Sequence, residues 1–350
     1  MPTLRQQLLA LIEKLEPEAE RAFLAAIDDI KSEIVLREVI EALERRDVEG
    51  AVQALNIEPS AFRPLSEALR QAFNEGGLLV VQRMPLIRDP MGGRVVVRWD
   101  AQNQRAEAII REQSSKLITD ISEQTKQAAR EAITARYAEG QGPRSIALDL
   151  VGRQSRITGK REGGLLGLNR PQSELMERTR VNLLSGDPEL MRKYLSLKTR
   201  DKRHDAAVRR AIDAGKPLDA ATLEKVLTRL RDRNLKLRGE TIARTETLTS
   251  VMAAKHEAYQ QGLDRAGRDA TLVTRKWRSA SDGRVRHSHM ALHAQEVTGM
   301  DAPFISPLGN MMRFPGDTSM GAGPEDIIAC RCDVDYVFDF AEAYARSRGR

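Results

Sequence analysis

The residues with the clearest capacity for chemistry are histidines and cysteines that gather near the C-terminal end of this 350-residue chain. Three of the five histidines and both cysteines fall there: His287, His289, His293, Cys330 and Cys332. Imidazole nitrogens and thiolates are ligands that zinc prefers, and four of them in a tetrahedron make a closed, structural site. If the segment around His289 is helical, His289 and His293 lie one turn apart on a common face. The sequence therefore predicts a zinc site formed by His289, His293, Cys330 and Cys332.

The spacing of the two cysteines favours a shared ligand role over a disulfide. Residues 327–337 are β-prone, and residues two apart on a strand point to one face, so Cys330 and Cys332 could both reach one ion. Neighbouring thiols on a strand lack the geometry of a disulfide, and a reducing cytoplasm disfavours one. The alternative is a pair of small buried thiols that pack beneath the sheet, with His289 hydrogen-bonded to a backbone carbonyl.

Charged residues near this region predict a polar network between a helix and the C-terminal domain. Side chains two apart on a helix point about 200° apart, so Arg244 and Glu246 cannot both lie on one solvated face. At least one of them is expected to reach a polar partner in the next domain. The natural candidates are Asp282, Arg284 and Arg286, which would give a buried charge network that fixes the helix against the sheet.

An enzymatic alternative uses some of the same side chains. Glu246, Asp282 and His289 could form an acid–base set, and with the cysteines they could serve a metal-dependent nuclease or related hydrolase. The carboxylates lack the close spacing typical of catalytic metal sites. We therefore predict that the protein is not an enzyme.

The elements that position these residues are expected to be mostly helices. Charged residues make up 30% of the chain and aromatic residues only 4%, which favours helices packed through aliphatic side chains. The predicted fold class is mainly α with a C-terminal α+β domain. Its segments are an acidic helical bundle at 1–90, a helical, basic middle region at 91–221, and a domain with a small sheet at 222–350. Apolar runs such as residues 78–81 are far too short to cross a bilayer, so we expect a soluble protein without a membrane partner.

A glycine-rich stretch at residues 161–172 has two interpretations. Gly163, Gly164 and Gly167 are three glycines in five residues, as in a loop that cradles phosphate. Their spacing matches neither the P-loop nor the dinucleotide fingerprint, and no strand is predicted before them. A turn or an ordered crossing loop is the better prediction.

The charge is unevenly distributed along the chain. Residues 1–90 hold 11 basic and 16 acidic residues, a net charge of −5, whereas residues 153–240 hold 22 basic and 12 acidic, a net charge of +10. A basic segment with few aromatic residues is typical of contact with DNA phosphates without sequence preference. The alternative is that its charges form a solvated helical face or pair with neighbouring acids; these are Arg229, Arg231, Arg233, Lys236 and Arg238.

Taken in order, the C-terminal motifs resemble the Mu F-like head-morphogenesis family, the minor head proteins of tailed bacteriophages. The resemblance extends over residues 222–340. It is carried by Ile242-Ala243-Arg244-Thr245-Glu246, Lys276-Trp277, Asp282-Gly283-Arg284-Val285-Arg286 with His289, Pro303-Phe304, Pro315-Gly316-Asp317 and Cys330-Arg331-Cys332.

The resemblance implies a low-copy virion protein inside the phage head or at its portal vertex, made in the bacterial cytoplasm. Its implied partners are the portal protein, other capsid or scaffold proteins and double-stranded DNA, with a role in packaging or ejection. It implies no enzymatic activity. The acidic N-terminal bundle would suit docking on a protein partner. A host-directed DNA-binding protein is a further alternative.

Overall fold

The computed structural model describes residues 2–338 of the chain and is 62% helical. It confirms the predicted fold class, mainly α with small antiparallel sheets near the C-terminus. Within the described residues there are twelve α-helices: α1 (Leu4–Glu33), α2 (Leu36–Glu44), α3 (Val48–Ala54), α4 (Arg63–Arg83), α5 (Gln104–Ala138), α6 (Pro143–Val151), α7 (Arg170–Leu184), α8 (Pro188–Ser196), α9 (Asp205–Asp213), α10 (Ala220–Ala266), α11 (His287–Leu292) and α12 (Pro324–Ile327).

In residues 2–338 the strands are short and every pair is antiparallel. They are β1 (Ile87–Arg88), β2 (Arg94–Val95), β3 (Arg153–Gln154), β4 (Arg161–Glu162), β5 (Val273–Arg278), β6 (Glu296–Thr298), β7 (Phe304–Ile305), β8 (Met311–Met312) and β9 (Asp333–Phe338). The pairs β1–β2, β3–β4 and β7–β8 are two-stranded, and a three-stranded sheet has the order β6-β5-β9. The strand predicted at 327–337 begins only at Asp333, because α12 and a turn occupy the residues before it.

The chain divides into two compact units that are each assembled from separate segments. One unit contains Met1–Glu20, Leu65–Ser115 and Glu240–Arg350, and the other contains Arg21–Pro64 and Lys116–Gly239. These limits differ from the predicted domain limits at 90 and 221, because α1, α5 and α10 each begin in one unit and end in the other. Periodicity within a continuous helix gives no sign of such a change. The end of the last predicted domain, residues 339–350, lies outside the described residues.

In the first unit, the three-stranded sheet and the second half of α10 share a core. The β5 side chains alternate, so Val273, Arg275 and Trp277 are all buried on one face. Tyr259 on α10 stacks on Tyr336 of β9 with ring centroids 4.3 Å apart. The buried guanidinium of Arg275 donates to the carbonyl oxygens of Gly299, Ala302 and Arg313, which ties the loops after β6 and β8 to the sheet.

In the second unit, buried basic side chains donate hydrogen bonds to the backbone of the glycine-rich loop. Lys31 Nζ donates to Gly163 O at 2.8 Å, Arg231 donates to Leu166 O at 3.1 Å, and Arg238 donates to Gly167 O at 2.8 Å. The loop is thus an ordered crossing segment, in agreement with the interpretation favoured from the sequence. Arg231 and Arg238 are each 5% exposed, so the solvated helical face is wrong for both of them.

We expect Gly164→Ala to lower the stability of the second unit by more than about 2 kcal/mol. Gly164 has φ +78°, and an added Cβ would lie 2.5 Å from Gly152 N and 2.6 Å from Leu150 O, which are backbone atoms that cannot turn aside. Gly159→Ala is the matched control, because Gly159 also has a positive φ, +70°, but nothing lies within 4 Å of its Cβ position. Urea unfolding should separate the two variants, and equal losses would show that the close approach at Gly164 does not matter.

Candidate metal centre

Three candidate ligands lie close together in the sheet-containing part of the first unit: His289, Cys330 and Cys332. His289 lies in the short helix α11, and the two cysteines occupy the turn between α12 and β9. Ala329 adopts φ +52° in this turn, and Cys330 N donates to Ile327 O at 3.3 Å. The turn directs both thiols towards the imidazole even though neither cysteine lies on a strand. All three side chains are buried.

The distances among these three side chains fit a tetrahedral zinc site. His289 Nδ1 lies 3.5 Å from Cys330 Sγ and 3.3 Å from Cys332 Sγ. Zinc bonds of about 2.3 Å to sulfur and about 2.0–2.1 Å to nitrogen, at a tetrahedral angle, place the two donor atoms about 3.5 Å apart. The three ligand atoms all lie within 4.8 Å of one another. The donor chemistry and the spacing therefore both suit a zinc ion.

Asp326 supports the imidazole from the opposite side. Its Oδ1 lies 3.3 Å from His289 Nε2, at ion-pair distance. Nε2 is buried and makes no hydrogen bond with any of the described residues. The carboxylate is fixed by Ser288 Oγ at 2.7 Å, Ser306 Oγ at 2.6 Å and Asn310 Nδ2 at 2.8 Å. Ligating histidines usually place their second ring nitrogen against such a carboxylate, which leaves the first nitrogen free to bind metal.

The electrostatics of the centre favour one thiolate. Hydrogen bonding from the Cys330 thiol, opposed by burial and helped by His289, lowers the pKa of Cys332 to about 5. The same contact and burial raise the pKa of Cys330 well above its usual value. Burial raises the pKa of Asp326, but hydrogen bonds from Ser306, Asn310 and Ser288 outweigh it and hold that pKa below its usual value. The centre thus presents an anionic sulfur beside a carboxylate-supported imidazole.

His293, the predicted fourth ligand, does not join this group. Helix α11 ends at Leu292, and the cap residue His293 is extended with ψ +130°, so its side chain no longer follows the face of His289. Its Nδ1 lies 3.0 Å from Ser279 Oγ and accepts a hydrogen bond from Ser279 N. The predicted closed set of two histidines and two cysteines is therefore corrected to three candidate ligands among the described residues.

The predicted charge network is also placed differently. Arg244 pairs with Glu16 at 3.6 Å, and Glu246 accepts a hydrogen bond from Gln113 Nε2 at 3.1 Å. The other three residues bind within the C-terminal segment. Asp282 binds Arg331, with one oxygen–nitrogen distance of 2.8 Å, Arg286 donates to Ile328 O, and the Arg284 backbone donates to Asp282. Asp282 is exposed and the Glu246–Gln113 hydrogen bond is only part-buried, so these contacts are not the deeply buried network that was predicted.

A buried ion pair between α10 and the sheet does exist, but between other residues. Lys255 Nζ lies 2.8 Å from Asp333 Oδ1, and the two side chains are 4% and 1% exposed. Sequence reasoning missed this pair. The signal was a lysine that directly follows the apolar run 251–254 and an aspartate at the start of a β-prone run. Asp326 was missed as well, although it precedes Cys330 by only four residues.

Fold and site together define a mainly helical protein whose C-terminal α+β part contains a candidate metal centre. Residues 204–335 match the family described as Phage Mu protein F like protein, and this match confirms the resemblance seen in the motifs. The family is one of phage head morphogenesis and is not known as enzymatic. Comparison with curated proteins and with solved structures gives no significant match. In the part of the chain that the structure describes, no helix combines the length and apolar character needed to cross a membrane.

Proposed function

We propose that this protein is a minor head protein that acts at the portal vertex during assembly of a tailed-phage head. The match of residues 204–335 to the head-morphogenesis family carries this proposal. The matched segment contains His289, Cys330, Cys332 and the Lys255–Asp333 pair, so the features that hold the C-terminal part together fall within it. A virion location and a portal partner follow from the same proposal.

Co-expression with the portal protein of the same phage genome tests this function. The two proteins are expected to co-elute from a size-exclusion column as one complex larger than the portal ring alone. An unrelated protein with a similar pI near 9.4 is the matched control for attraction by charge. Separate elution of this chain and the portal ring, with both folded, would contradict the portal assignment.

Zinc at the cysteine–histidine centre is the second part of the proposal. The donor types, the distances and the carboxylate behind His289 support it. A zinc ion would tie the turn before β9 to α11, and in this way it would replace core that a small domain cannot build. The metal would then stabilise the fold and serve assembly.

We also propose that the protein contacts duplex DNA through the β3–β4 hairpin. Many basic side chains of residues 153–240 are either buried or paired with carboxylates of the same chain. Arg231 and Arg238 are buried, whereas others bind carboxylates: Arg180 to Glu177 at 3.1 Å, Arg200 to Asp205 at 3.1 Å and Arg203 to Asp201 at 2.6 Å. The basic side chains that remain available to a polyanion must therefore lie elsewhere on this segment.

The hairpin provides such side chains. Its ten residues, 153–162, hold four basic side chains and one acidic side chain, a net charge of +3. Arg156 and Lys160 are exposed, and their side chains have no hydrogen-bond or ion-pair partner among the described residues. Ile157 between them is 96% exposed. A narrow ribbon with cations around an exposed apolar tip resembles the arms that minor-groove proteins insert between base steps.

The double variant Arg156→Ala, Lys160→Ala is expected to weaken duplex binding equally for all sequences. Loss of two phosphate contacts should reduce the slope of log K against log salt by about 1.8. The control is Arg192→Ala, Lys202→Ala, which removes the same charge from exposed positions outside the hairpin. Fluorescence anisotropy over a range of salt concentrations measures both slopes, and identical slopes for the two variants would remove the hairpin from the interface.

A further inference from the structure

The candidate metal centre borders a cavity of about 650 Å³. His289, Cys330 and Cys332 all contribute to its lining. Among the described residues, only these three form a possible ligand group here. A tetrahedral ion bound to them would therefore have one coordination position that no described residue fills. Structural zinc sites are closed by four protein ligands, whereas a site with three keeps a position for an outside ligand.

Arginines dominate the charged wall of this cavity. Five line it, Arg5, Arg244, Arg284, Arg286 and Arg331, against three acids, Glu13, Glu16 and Asp282, which gives a net charge of +2. Zinc with two thiolates adds no net charge. The guanidinium of Arg284 is exposed and makes no hydrogen bond among the described residues, so it remains available to a ligand.

We propose that the fourth position of this metal centre binds a phosphate group that enters from the cavity. This inference rests on the proposed zinc centre and goes beyond its stabilisation of the fold. A phosphate monoester carries a charge of about −1.5 to −2 at neutral pH, which matches the net charge of the wall. One guanidinium group can donate two parallel hydrogen bonds to the oxygens of a phosphate. Zinc accepts an oxygen ligand at an open coordination position. The group could come from free phosphate or from the 5′ end of a DNA strand.

Cobalt substitution makes the coordination visible. Co²⁺ is added to the metal-free full chain, and its visible absorption bands are recorded during titration with inorganic phosphate. Saturable changes in the bands are expected, and Arg284→Ala should weaken phosphate binding about tenfold, or about 1.4 kcal/mol. Arg98→Ala is the matched control, since Arg98 is exposed in the same unit but does not line the cavity.

The remaining arms identify the ligand and its source. Acetate at the same concentrations should change the bands far less than phosphate, and an equal response would overturn the preference for phosphate. A short duplex with a 5′ phosphate that binds better than its dephosphorylated form would point to DNA as the source, and equal binding would point to the free ion. Bands that phosphate leaves unchanged would overturn this inference alone. No cobalt binding would overturn it together with the zinc centre, while leaving co-purification with the portal protein as a separate result.

Discussion

The variant Cys330→Ser, Cys332→Ser is expected to unfold the first unit at much lower denaturant concentration than the parent, with a loss on the order of 4 kcal/mol. In the proposed zinc centre, thiolate ligands would hold the turn before β9 against α11. Serine hydroxyls bind zinc poorly, so the variant should lose the metal and its binding free energy. Calorimetry and urea unfolding, followed by tryptophan fluorescence, measure the loss. Trp277 reports directly, because its ring lies edge-on to His289 with centroids 5.7 Å apart.

Chelation separates the metal from simple packing in the same experiment. A strong zinc chelator should lower the stability of the parent to that of the double variant and leave the variant unchanged. If the thiols only pack beneath the sheet, the chelator should affect neither protein. If the double variant is as stable as the parent, the two cysteines only pack and do not bind a stabilising metal.

The second large effect is expected for Asp333→Asn. This change leaves the Lys255 ammonium buried without its counter-charge, and removal of one partner from a buried ion pair typically costs about 3–5 kcal/mol. The isosteric amide preserves volume and can still accept the hydrogen bond from Val334 N. Urea unfolding of the full chain measures the loss in the first unit.

Two controls define the meaning of that loss. Lys255→Met, Asp333→Leu removes both charges and should recover most of the stability, because an apolar pair of similar volume is often neutral or better. Glu296→Gln breaks the exposed pair with Lys276 and should cost about 1 kcal/mol or less. If Asp333→Asn cost no more than Glu296→Gln, the buried pair would not stabilise the docking of α10 on the sheet.

Features that depend on residues close together in the sequence could be predicted. Alternation and helical spacing predict the helices and the strand β5, since each depends on side chains a few positions apart. The grouping of His289, Cys330 and Cys332 was predicted from residue type and spacing, although the strand assumed for the two cysteines begins only after them. The family resemblance came from the order of motifs along residues 222–340, and the match to residues 204–335 confirms it.

Features that depend on where an element ends or what it packs against could not be predicted. His293 lost its predicted role because α11 stops one residue before it, and no capping signal in the sequence marks that end. The helix-to-sheet ion pair was expected at Arg244 and Glu246, but the rotation of a long helix about its axis decides which charge faces inward, and here it is Lys255. In the sequence, Arg231 and Arg238 resemble surface charges. In the structure, both are buried and donate hydrogen bonds to carbonyl oxygens of the glycine-rich loop.

The central claim, that this head-morphogenesis segment holds a metal ion, is tested most directly by elemental analysis of the full chain purified without a histidine tag. We predict about one zinc per chain in the parent protein and almost none in Cys330→Ser, Cys332→Ser, with His293→Ala retaining the ion because His293 binds Ser279 instead. Well under one zinc per chain in the parent, when it is purified from zinc-replete cells and correctly folded, would contradict the account.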